Sequence, residues 1–389
     1  MFDTSVVLLD LANDVWQDSF VWTPLSSPIS IDSPLDWSIQ KRTLRGGSCE
    51  GVDVVDLNNG LFSLSILPTR GMGLWKGTAN GCPVGWQSPV EYPVHPALID
   101  ASRRNGLGWL DGFNELLCRC GLSWHGAPEI DECGTPLTLH GRIANLPAHH
   151  VSAKVTEQGE LSVTGVVDEC SVFGPRLQLT STISTHLGSN SMRICDQITN
   201  LGGQDTEVEL LYHINLGPPF LDGGARLAAP TSRVIPRDQR AAEDLSTWQT
   251  YQEPTTGYQE QCYFLELQED EQGRTEVLLS NSDGDRGFSL SFNRRELPCF
   301  TVWKNTQALA DGYVTGIEPS TSLPNPRSFE RRQGRVVSLP PGGSRSAEFE
   351  ISVHTDAESV GARQRRIQDL QGDQRPILCP APLQEYCPE

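Results

Sequence analysis

Hydrophobic and polar residues alternate along most of this chain, which is typical of β-strands that bury one of their two faces. Between residues 61 and 67, large apolar side chains alternate with serines, and residues 52–57 form a second apolar run. The dipeptide Asn59-Gly60 separates the two runs and favours the tight turn of a β-hairpin. The pattern therefore predicts a hairpin over residues 52–67.

Similar runs recur after this hairpin. The chain holds 36 glycines and 27 prolines spread along its length, which suits many turns between short strands. Roughly twenty strands are predicted, without the self-similar repeat of ~40–50 residues that would indicate a propeller. We therefore expect an all-β fold, a large two-layered antiparallel β-sandwich with few short helices. The later strands are expected at residues 84–87, 150–155, 161–169, 176–186, 191–200, 206–216, 260–266, 276–280, 287–293, 299–304, 312–318, 334–339 and 346–354.

Few segments have helical periodicity. Residues 111–120 are predicted as a short helix, and residues 356–370 as a terminal helix, because Ala357, Val360 and Ile367 share one side of it.

Two polar segments, 217–258 and 374–389, are predicted to run over the surface, because both are rich in proline and lack periodicity. We expect one domain over the whole chain. Its parts are lead-in strands 1–45, a sandwich core 46–355, and a C-terminal helix and tail 356–389.

Composition limits the possible partners. The 389 residues include 30 basic and 49 acidic side chains, a formal net charge of −19. Nucleic acids and anionic membranes both need a basic surface, so neither is expected as a partner. The first 16 residues lack the basic region of a secretory signal, and no run approaches 18 apolar residues. Eleven cysteines without zinc-site spacing are expected to be reduced thiols. These features predict a cytoplasmic protein.

Two strands carry ionisable residues that are candidates for chemistry. In residues 206–216 the apolar side chains point to one face, whereas His213 and Asn215 point to the other. Glu318 ends an apolar run and follows Gly316 on the same face. A partly desolvated carboxylate at this position would have a raised pKa, as a general base requires.

A third candidate is His140, which is expected to share a strand face with Thr138 and Arg142. A structural interpretation competes for each candidate, because a lone histidine in a strand is more often a hydrogen-bonded structural residue than a chemical group. The sequence has no phosphate-binding loop, no Gly-x-Gly-x-x-Gly and no His-Glu-x-x-His, so neither a nucleotide cofactor nor a metal is expected.

Several motifs resemble those of the galactose mutarotase-like superfamily, which includes the aldose 1-epimerases. Residues 212–217 (Tyr-His-Ile-Asn-Leu-Gly) resemble the strand that carries a histidine general acid in those enzymes. Residues 312–319 resemble the later strand that carries a glutamate general base, and Leu139-His140-Gly141 resembles the segment whose histidine contacts the sugar. Further motifs resemble the DUF4432 branch of this superfamily; they lie at residues 67–72, 120–122, 126–128, 140–148 and 318–319.

The resemblance covers residues 45–355 and implies a β-supersandwich whose active site lies on a concave sheet face. It also implies an isomerase that interconverts sugar anomers, with Glu318 as base and His213 as acid. Such acid–base chemistry needs no metal and no organic cofactor.

The candidate substrate-binding residues are those that could bond sugar hydroxyls: His140, Arg70, Arg142, Asn215, Asp111, Lys304 and Asn305. Four tryptophans are candidates for stacking against a sugar face: Trp75, Trp109, Trp124 and Trp303.

Two alternatives remain open at this point. One is a mutarotase-like enzyme that acts on a phosphorylated or acidic sugar, held by Arg70, Arg142 and Lys304. The other is a non-catalytic carbohydrate-binding protein. The expected partner in every case is a small-molecule sugar, and the protein is expected to be a monomer or a homodimer.

Overall fold

The structure, a computed structural model, describes residues 3–28, 31 and 33–388. Met1, Phe2, Ile29, Ser30, Asp32 and Glu389, which belong to the predicted lead-in and tail, lie outside the described residues. In chain order the strands are β1 (Asp3–Asp10), β2 (Val15–Trp16), β3 (Phe20–Trp22), β4 (Ser38–Thr43), β5 (Asp53–Asn58), β6 (Phe62–Leu67), β7 (Gly73–Ala79), β8 (Cys82–Val84), β9 (Leu117–Leu122), β10 (Glu129–Ile130), β11 (Pro136–Leu137), β12 (His150–Thr156), β13 (Glu160–Cys170), β14 (Arg176–His186), β15 (Ser191–Asn200), β16 (Thr206–Leu216), β17 (Arg226–Ala228), β18 (Thr231–Pro236), β19 (Gln261–Leu267), β20 (Arg274–Ser280), β21 (Gly287–Asn293), β22 (Cys299–Asn305), β23 (Val314–Ser320), β24 (Val337–Leu339), β25 (Ser344–His354) and β26 (Ile377–Leu378).

Helices are short apart from one near the C-terminus. They are α1 (Arg103–Gly106), α2 (Gln239–Glu243), α3 (Arg327–Arg332) and α4 (Ala357–Gln371). Single 3-10 turns occupy Leu11–Asn13, Gly47–Cys49, Pro68–Arg70, Pro96–Leu98, Gly108–Gly112, Ile143–Asn145, Leu245–Thr247 and Leu309–Asp311.

Two large sheets contain nearly all of these strands. The first has the order β17-β20-β21-β25-β15-β14-β13-β12-β1-β2. The second has the order β26-β18-β19-β22-β23-β16-β9-β7-β6-β5-β4-β3, with β24 beside β16 and β8 beside β7. Neighbouring strands are antiparallel except β18 and β26. The structure therefore confirms the predicted all-β class and the large antiparallel sandwich.

The core lies between the two sheets. Leu64 and Ile66 of the second sheet belong to the same buried apolar cluster as Val163 and Ile194 of the first. Alternate residues of β13 are buried, as expected for strands with one face in the core. The outer face of the second sheet carries a smaller buried cluster, which includes Trp109.

Two local predictions are confirmed. Strands β5 and β6 form the predicted hairpin, with Val55 opposite Ile66. The terminal helix is α4, and Asp356 caps its start by accepting a hydrogen bond from the amide of Ser359.

The helix predicted at residues 111–120 is wrong. Asp111 ends up in the 3-10 turn Gly108–Gly112, and the segment then extends into β9, in which all residues are buried. A central strand that is covered on both faces gives a continuous apolar run, which periodicity alone does not distinguish from a helix.

The surface excursion predicted at residues 217–258 is also wrong. The segment contains β17, β18 and α2, and it buries Phe220 and Tyr251 in the core between the sheets. The tail 374–388 is only partly superficial, because it adds β26 to the second sheet and buries Cys379 and Cys387.

An ion pair between Arg119 of β9 and Asp196 of β15 connects the two sheets inside the core. Both side chains have no exposed surface, and Arg119 Nε lies 2.5 Å from Asp196 Oδ2. Arg119 also donates to Ser181 Oγ at 2.8 Å, and Tyr212 Oη donates to Asp196 Oδ2 at 2.9 Å. The buried charges are therefore paired and hydrogen-bonded, which is the condition for tolerating them in a core.

Asp196→Asn is expected to destabilise the protein strongly, because it leaves Arg119 buried without a counter-charge; such changes cost about 3–5 kcal/mol. Tyr212→Phe removes one hydrogen bond to a charged group and should cost about 1.5–3 kcal/mol. Denaturant unfolding measures both. The control is Asp168→Asn, which breaks a half-exposed contact with His149 and should cost at most about 1 kcal/mol. An Asp196→Asn protein as stable as this control would contradict a structural role for the ion pair.

Candidate functional site

The register of two neighbouring strands brings the two main candidates together. Strand β16 pairs with β23, with Ile214 opposite Ile317, and this register places His213 opposite Glu318. The His213 Nε2 atom lies 3.3 Å from Glu318 Oε1. Both side chains lie on the outer face of the second sheet, and they are 5% and 2% exposed. We call them the His213–Glu318 pair.

A glycine makes room for this pair. A Cβ atom at Gly316 would lie 2.4 Å from Glu318 Oε1 and 3.1 Å from His213 Cε1. Gly316 precedes Glu318 by two residues, so both face the same side of β23. Any side chain at position 316 would push the carboxylate away from the histidine.

Asn215 fixes which nitrogen of His213 carries the proton. The amide Nδ2 of Asn215 donates to the carbonyl oxygens of Glu115 at 2.9 Å and of His213 at 3.0 Å. Its Oδ1 lies 2.7 Å from His213 Nδ1 and can only accept there. His213 Nδ1 is therefore the protonated nitrogen, and Nε2 faces Glu318.

The second histidine lies beside the first but not on a strand. His140 has a φ of 58°, so the predicted strand face with Thr138 and Arg142 is wrong. Its Nδ1 donates to the carbonyl oxygen of His125 at 2.8 Å, which leaves Nε2 as an acceptor. The rings of His140 and His213 are 5.5 Å apart.

Aromatic rings surround the two histidines. Phe113 and Trp303 contact His213 edge to face, with ring centroids 4.9 Å and 5.4 Å from it. Trp109 lies 4.6 Å from the ring of His140 and 6.2 Å from that of His213. Of the four tryptophans proposed for stacking, Trp109 and Trp303 therefore lie at the His213–Glu318 pair.

Burial sets the protonation states of the three ionisable groups. It lowers the pKa of His213 to about 3 and that of His140 to about 4. It raises the pKa of Glu318 to about 8, an effect that Arg237 opposes and Glu260 strengthens. At neutral pH both imidazoles are then uncharged and Glu318 is protonated. The His213–Glu318 pair then carries one exchangeable proton, on the carboxyl group of Glu318.

Sequence reasoning missed two charged residues near this pair. Glu260 accepts from the indole nitrogen of Trp303 at 2.7 Å and from Arg237 Nη2 at 3.1 Å. Arg237 also contacts Asp238 at 3.2 Å. The only signal in the sequence that could have found Glu260 is its strand position. Cys262 lies opposite Trp303, and Glu260 precedes Cys262 by two residues, so it lies near the face that carries Trp303.

Three predicted hydroxyl-binding residues lie beneath the site, with their polar groups bonded to protein atoms. Arg70 is 2% exposed and pairs with Glu115, and Asn215 has no exposed surface. Lys304 is on the core face of β22, where its Nζ donates to the carbonyl oxygens of Thr247 and Thr250. This geometry leaves none of the three free to bind a sugar, because buried arginine, asparagine and lysine groups already have partners.

The other predicted binders are dispersed. Asp111 forms ion pairs with Arg103 and Arg104 instead of facing the His213–Glu318 pair. Asn305 shares the face of Trp303 and donates to the carbonyl oxygen of Gly312 at 3.2 Å. Arg142 follows His140 by two residues and is exposed.

Two further features concern metals and membranes. Among the described residues, no three His, Cys, Asp or Glu side chains are grouped so as to hold a metal ion. No helix in the described ranges is long and apolar enough to cross a membrane.

Glu318→Gln is expected to stabilise the protein increasingly as the pH rises. The pKa of Glu318 in the folded state, about 8, exceeds the ordinary glutamate value of 4.5, so the folded state holds the proton more tightly than the unfolded state does. The stability that the protonated Glu318 contributes is therefore fully present below pH 4.5 and is lost as the pH rises towards 8. Glutamine does not titrate, so the variant does not lose stability in this way. The melting-temperature difference between variant and parent should grow by at least about 2 °C from pH 5 to pH 8. The exposed Glu157→Gln serves as control, and an equal difference at both pH values would contradict the raised pKa.

Comparisons with known proteins agree with this fold. A family model described as a domain of unknown function, DUF4432, matches residues 49–353. A Klebsiella pneumoniae protein, provisionally described as an aldose 1-epimerase, is 35% identical over 98% of this chain and 99% of its own, with a TM-score of 0.95. A galactose mutarotase-like protein from Clostridium acetobutylicum is 14% identical over 82% of this chain and 98% of its own, with a TM-score of 0.57. A search of the curated proteins finds no match. The chain therefore belongs to the DUF4432 family and has the galactose mutarotase-like fold.

Proposed function

We propose that this protein is an aldose 1-epimerase that interconverts the anomers of a neutral sugar at the His213–Glu318 pair. The observation that supports this most directly is the 3.3 Å contact between His213 Nε2 and Glu318 Oε1, inside an aromatic enclosure. A carboxylate and an imidazole that share one proton are a complete set for moving protons on and off two neighbouring oxygens. The likeness to the Klebsiella pneumoniae protein points to the same chemistry.

The reaction needs two proton transfers in each direction. Glu318 takes the proton from the C1 hydroxyl, while His213 Nε2 gives a proton to the ring oxygen. The bond between C1 and the ring oxygen breaks, and the open-chain aldehyde forms. After rotation about the C1–C2 bond, His213 takes the proton back from the C5 hydroxyl as its oxygen attacks C1. Glu318 then protonates the carbonyl oxygen, which closes the ring as the other anomer.

The single proton of the pair fits this cycle. With the closed sugar bound, the active form has a charged Glu318 and a protonated His213. In the open-chain state the proton is on Glu318 and His213 is neutral, which is the form that burial favours in the free protein. The two forms contain the same number of protons, so no exchange with solvent is required between them.

The charges around the pair favour a neutral sugar over a phosphorylated or acidic one. Arg70 pairs with Glu115, and Lys304 points into the core. Arg237 is neutralised by Asp238 and Glu260, so it offers little attraction to a further anion. Of the three cations considered for an anionic substrate, only Arg142 is exposed. His140 Nε2 is an acceptor and is suited to a sugar hydroxyl.

The test is polarimetry and NMR exchange spectroscopy on freshly dissolved single anomers of several aldoses. Glu318→Gln and His213→Asn should each lower kcat by ~10²–10⁴, because each removes one of the two proton-transfer groups. His140→Asn should mainly raise KM. The exposed Glu157→Gln and His186→Asn are controls and should match the parent. Parental kcat in both site variants would reject the acid–base mechanism, and sugar binding without catalysis would identify a binding protein.

The rate of anomer exchange is expected to fall above about pH 8, where the pair loses its one proton. His140→Asn should keep this alkaline limb, because His140 is already neutral in the working range. The measurement is kcat/KM from pH 5 to pH 10, corrected for the uncatalysed reaction. A profile that stays flat to pH 10, or a limb that disappears in His140→Asn, would assign the proton to other groups.

A further inference from the structure

A buried hydrogen-bonded chain leads from Arg70 to His213. Arg70 Nε lies 2.6 Å from Glu115 Oε1, and both side chains are 1% exposed. The carbonyl oxygen of Glu115 accepts from Asn215 Nδ2, and Asn215 Oδ1 accepts from His213 Nδ1. Arg70, Glu115 and strand β16, which carries both His213 and Asn215, are three separate segments of the chain. The contacts of Glu115 with Arg70 and with Asn215 are therefore tertiary, whereas Asn215 and His213 are neighbours on one strand face.

The hydrogen bonds of Asn215 permit only one orientation of its side-chain amide. Exchanging Oδ1 and Nδ2 would place the oxygen against two carbonyl oxygens, those of Glu115 and His213. It would also leave His213 Nδ1 facing an N–H group. Because Asn215 has no exposed surface, bulk solvent cannot compensate for these unfavourable contacts. The amide therefore holds one orientation and keeps the proton on Nδ1 of His213.

The carbonyl of Glu115 is in turn held from two directions. The indole nitrogen of Trp86 donates to the same oxygen at 3.0 Å. The backbone N–H of Asn215 donates to the carbonyl oxygen of Leu116, the residue after Glu115, at 2.7 Å. The oxygen that orients Asn215 is thus fixed relative to β16.

Arg70 holds the whole segment that supplies this carbonyl. Besides the contact with Glu115, its Nη2 donates to the carbonyl oxygen of Gly112 at 3.0 Å. Its Nη1 donates to the carbonyl oxygen of Val94 and to Asn145 Oδ1. The segment between Gly112 and Glu115 carries Phe113, which packs against His213. Arg70 therefore fixes both the carbonyl and one aromatic wall.

We infer that Asn215, Glu115 and Arg70 are positioning residues that lock His213 in the Nδ1-protonated tautomer and thereby keep Nε2 available for proton exchange with Glu318. The alternative roles for Arg70 and Asn215 as sugar binders need free polar groups, which these buried residues lack. The kinetic consequences rest on the proposed function, whereas the tautomer lock is a property of the free protein. The two can therefore fail separately.

The direct test is ¹⁵N NMR of the full-length protein labelled at its histidine ring nitrogens, without ligand at pH 7. His213 should show a protonated Nδ1 and an unprotonated Nε2. In Asn215→Leu, which removes the acceptor at similar volume, the Nε2-protonated tautomer should predominate, because Nδ1 no longer has an acceptor. His140 is an internal control, because its Nδ1 bonds to the carbonyl of His125 and should not change.

Kinetics distinguish positioning from binding. Asn215→Leu should lower kcat at least tenfold while KM stays within about twofold, because a wrong tautomer removes active molecules and leaves substrate contacts intact. Asn215→Asp keeps an acceptor for Nδ1 and should retain the native tautomer, but its second oxygen faces the carbonyl oxygens of Glu115 and His213, so its melting temperature should fall. Its carboxylate favours the charged imidazole, so the alkaline limb should move to higher pH.

Two milder variants cover the case in which a buried substitution prevents folding. Trp86→Phe removes one donor to Glu115 but keeps an aromatic ring, and Arg70→Lys keeps the charge but loses the planar fork. Both should lower kcat more than they raise KM. A single native tautomer in Asn215→Leu, or Arg70→Lys that raises KM with an unchanged kcat, would overturn the proposal. Absence of epimerase activity with a confirmed tautomer lock would reject the proposed function alone.

Discussion

The buried ion pair between Arg119 and Asp196 determines how the two sheets meet beneath the site. Each of these charges would be costly in an apolar core, so both must find partners, and the packing of β9 against β15 across the sandwich provides them. Arg119 lies between Cys118 and Cys120, which face outwards towards the site, and Tyr212, which bonds to Asp196, precedes His213. Since a slip of one residue exchanges the faces of a strand, the constraint that satisfies Arg119 also keeps His213 on the outer face.

A second buried arginine has a comparable effect on the outer side of the same sheet. Arg70 gathers the carbonyls of Gly112 and Val94, the carboxylate of Glu115 and the amide of Asn145 around one guanidinium. These groups belong to loops, which have no ladder of strand hydrogen bonds to position them. The planar fork of arginine suits this role, because it binds several acceptors in fixed directions. The site is thus built on strands from below and on an arginine-centred loop cluster at its side.

The parts of this arrangement that the sequence predicted are those governed by strand periodicity. His213 could be placed on the face opposite the apolar side chains of its strand, and Glu318 on the same face as Gly316, because alternate residues of a strand face opposite ways whatever the tertiary context. The resemblance supplied their roles as base and acid, and the register that puts them 3.3 Å apart came only from the structure. His140 has a positive φ, and Arg70 and Lys304 are buried; none of these states leaves a periodic signal. The segment 217–258 was misjudged because its glycines, prolines and charges hide the buried Phe220 and Tyr251.

Buried carboxylates elsewhere in the protein show why Glu318 is better understood as a chemical group than as a structural one. Glu169 accepts from the amides of Leu122 and Ser123, and Glu330 accepts from Asn325 and Arg335. Glu318 is as deeply buried as these residues, yet its Oε1 has no hydrogen-bond partner in the described protein beyond the longer contact with His213. Among the described residues Glu209 Oε2 also lacks a partner, but the other oxygen of Glu209 accepts from Ser322. Buried polar atoms without partners are rare because they destabilise the fold. A carboxyl oxygen left in this state, beside a histidine whose free nitrogen faces it, retains hydrogen-bonding capacity, which is what the proposed reaction requires of a group that exchanges a proton with the substrate.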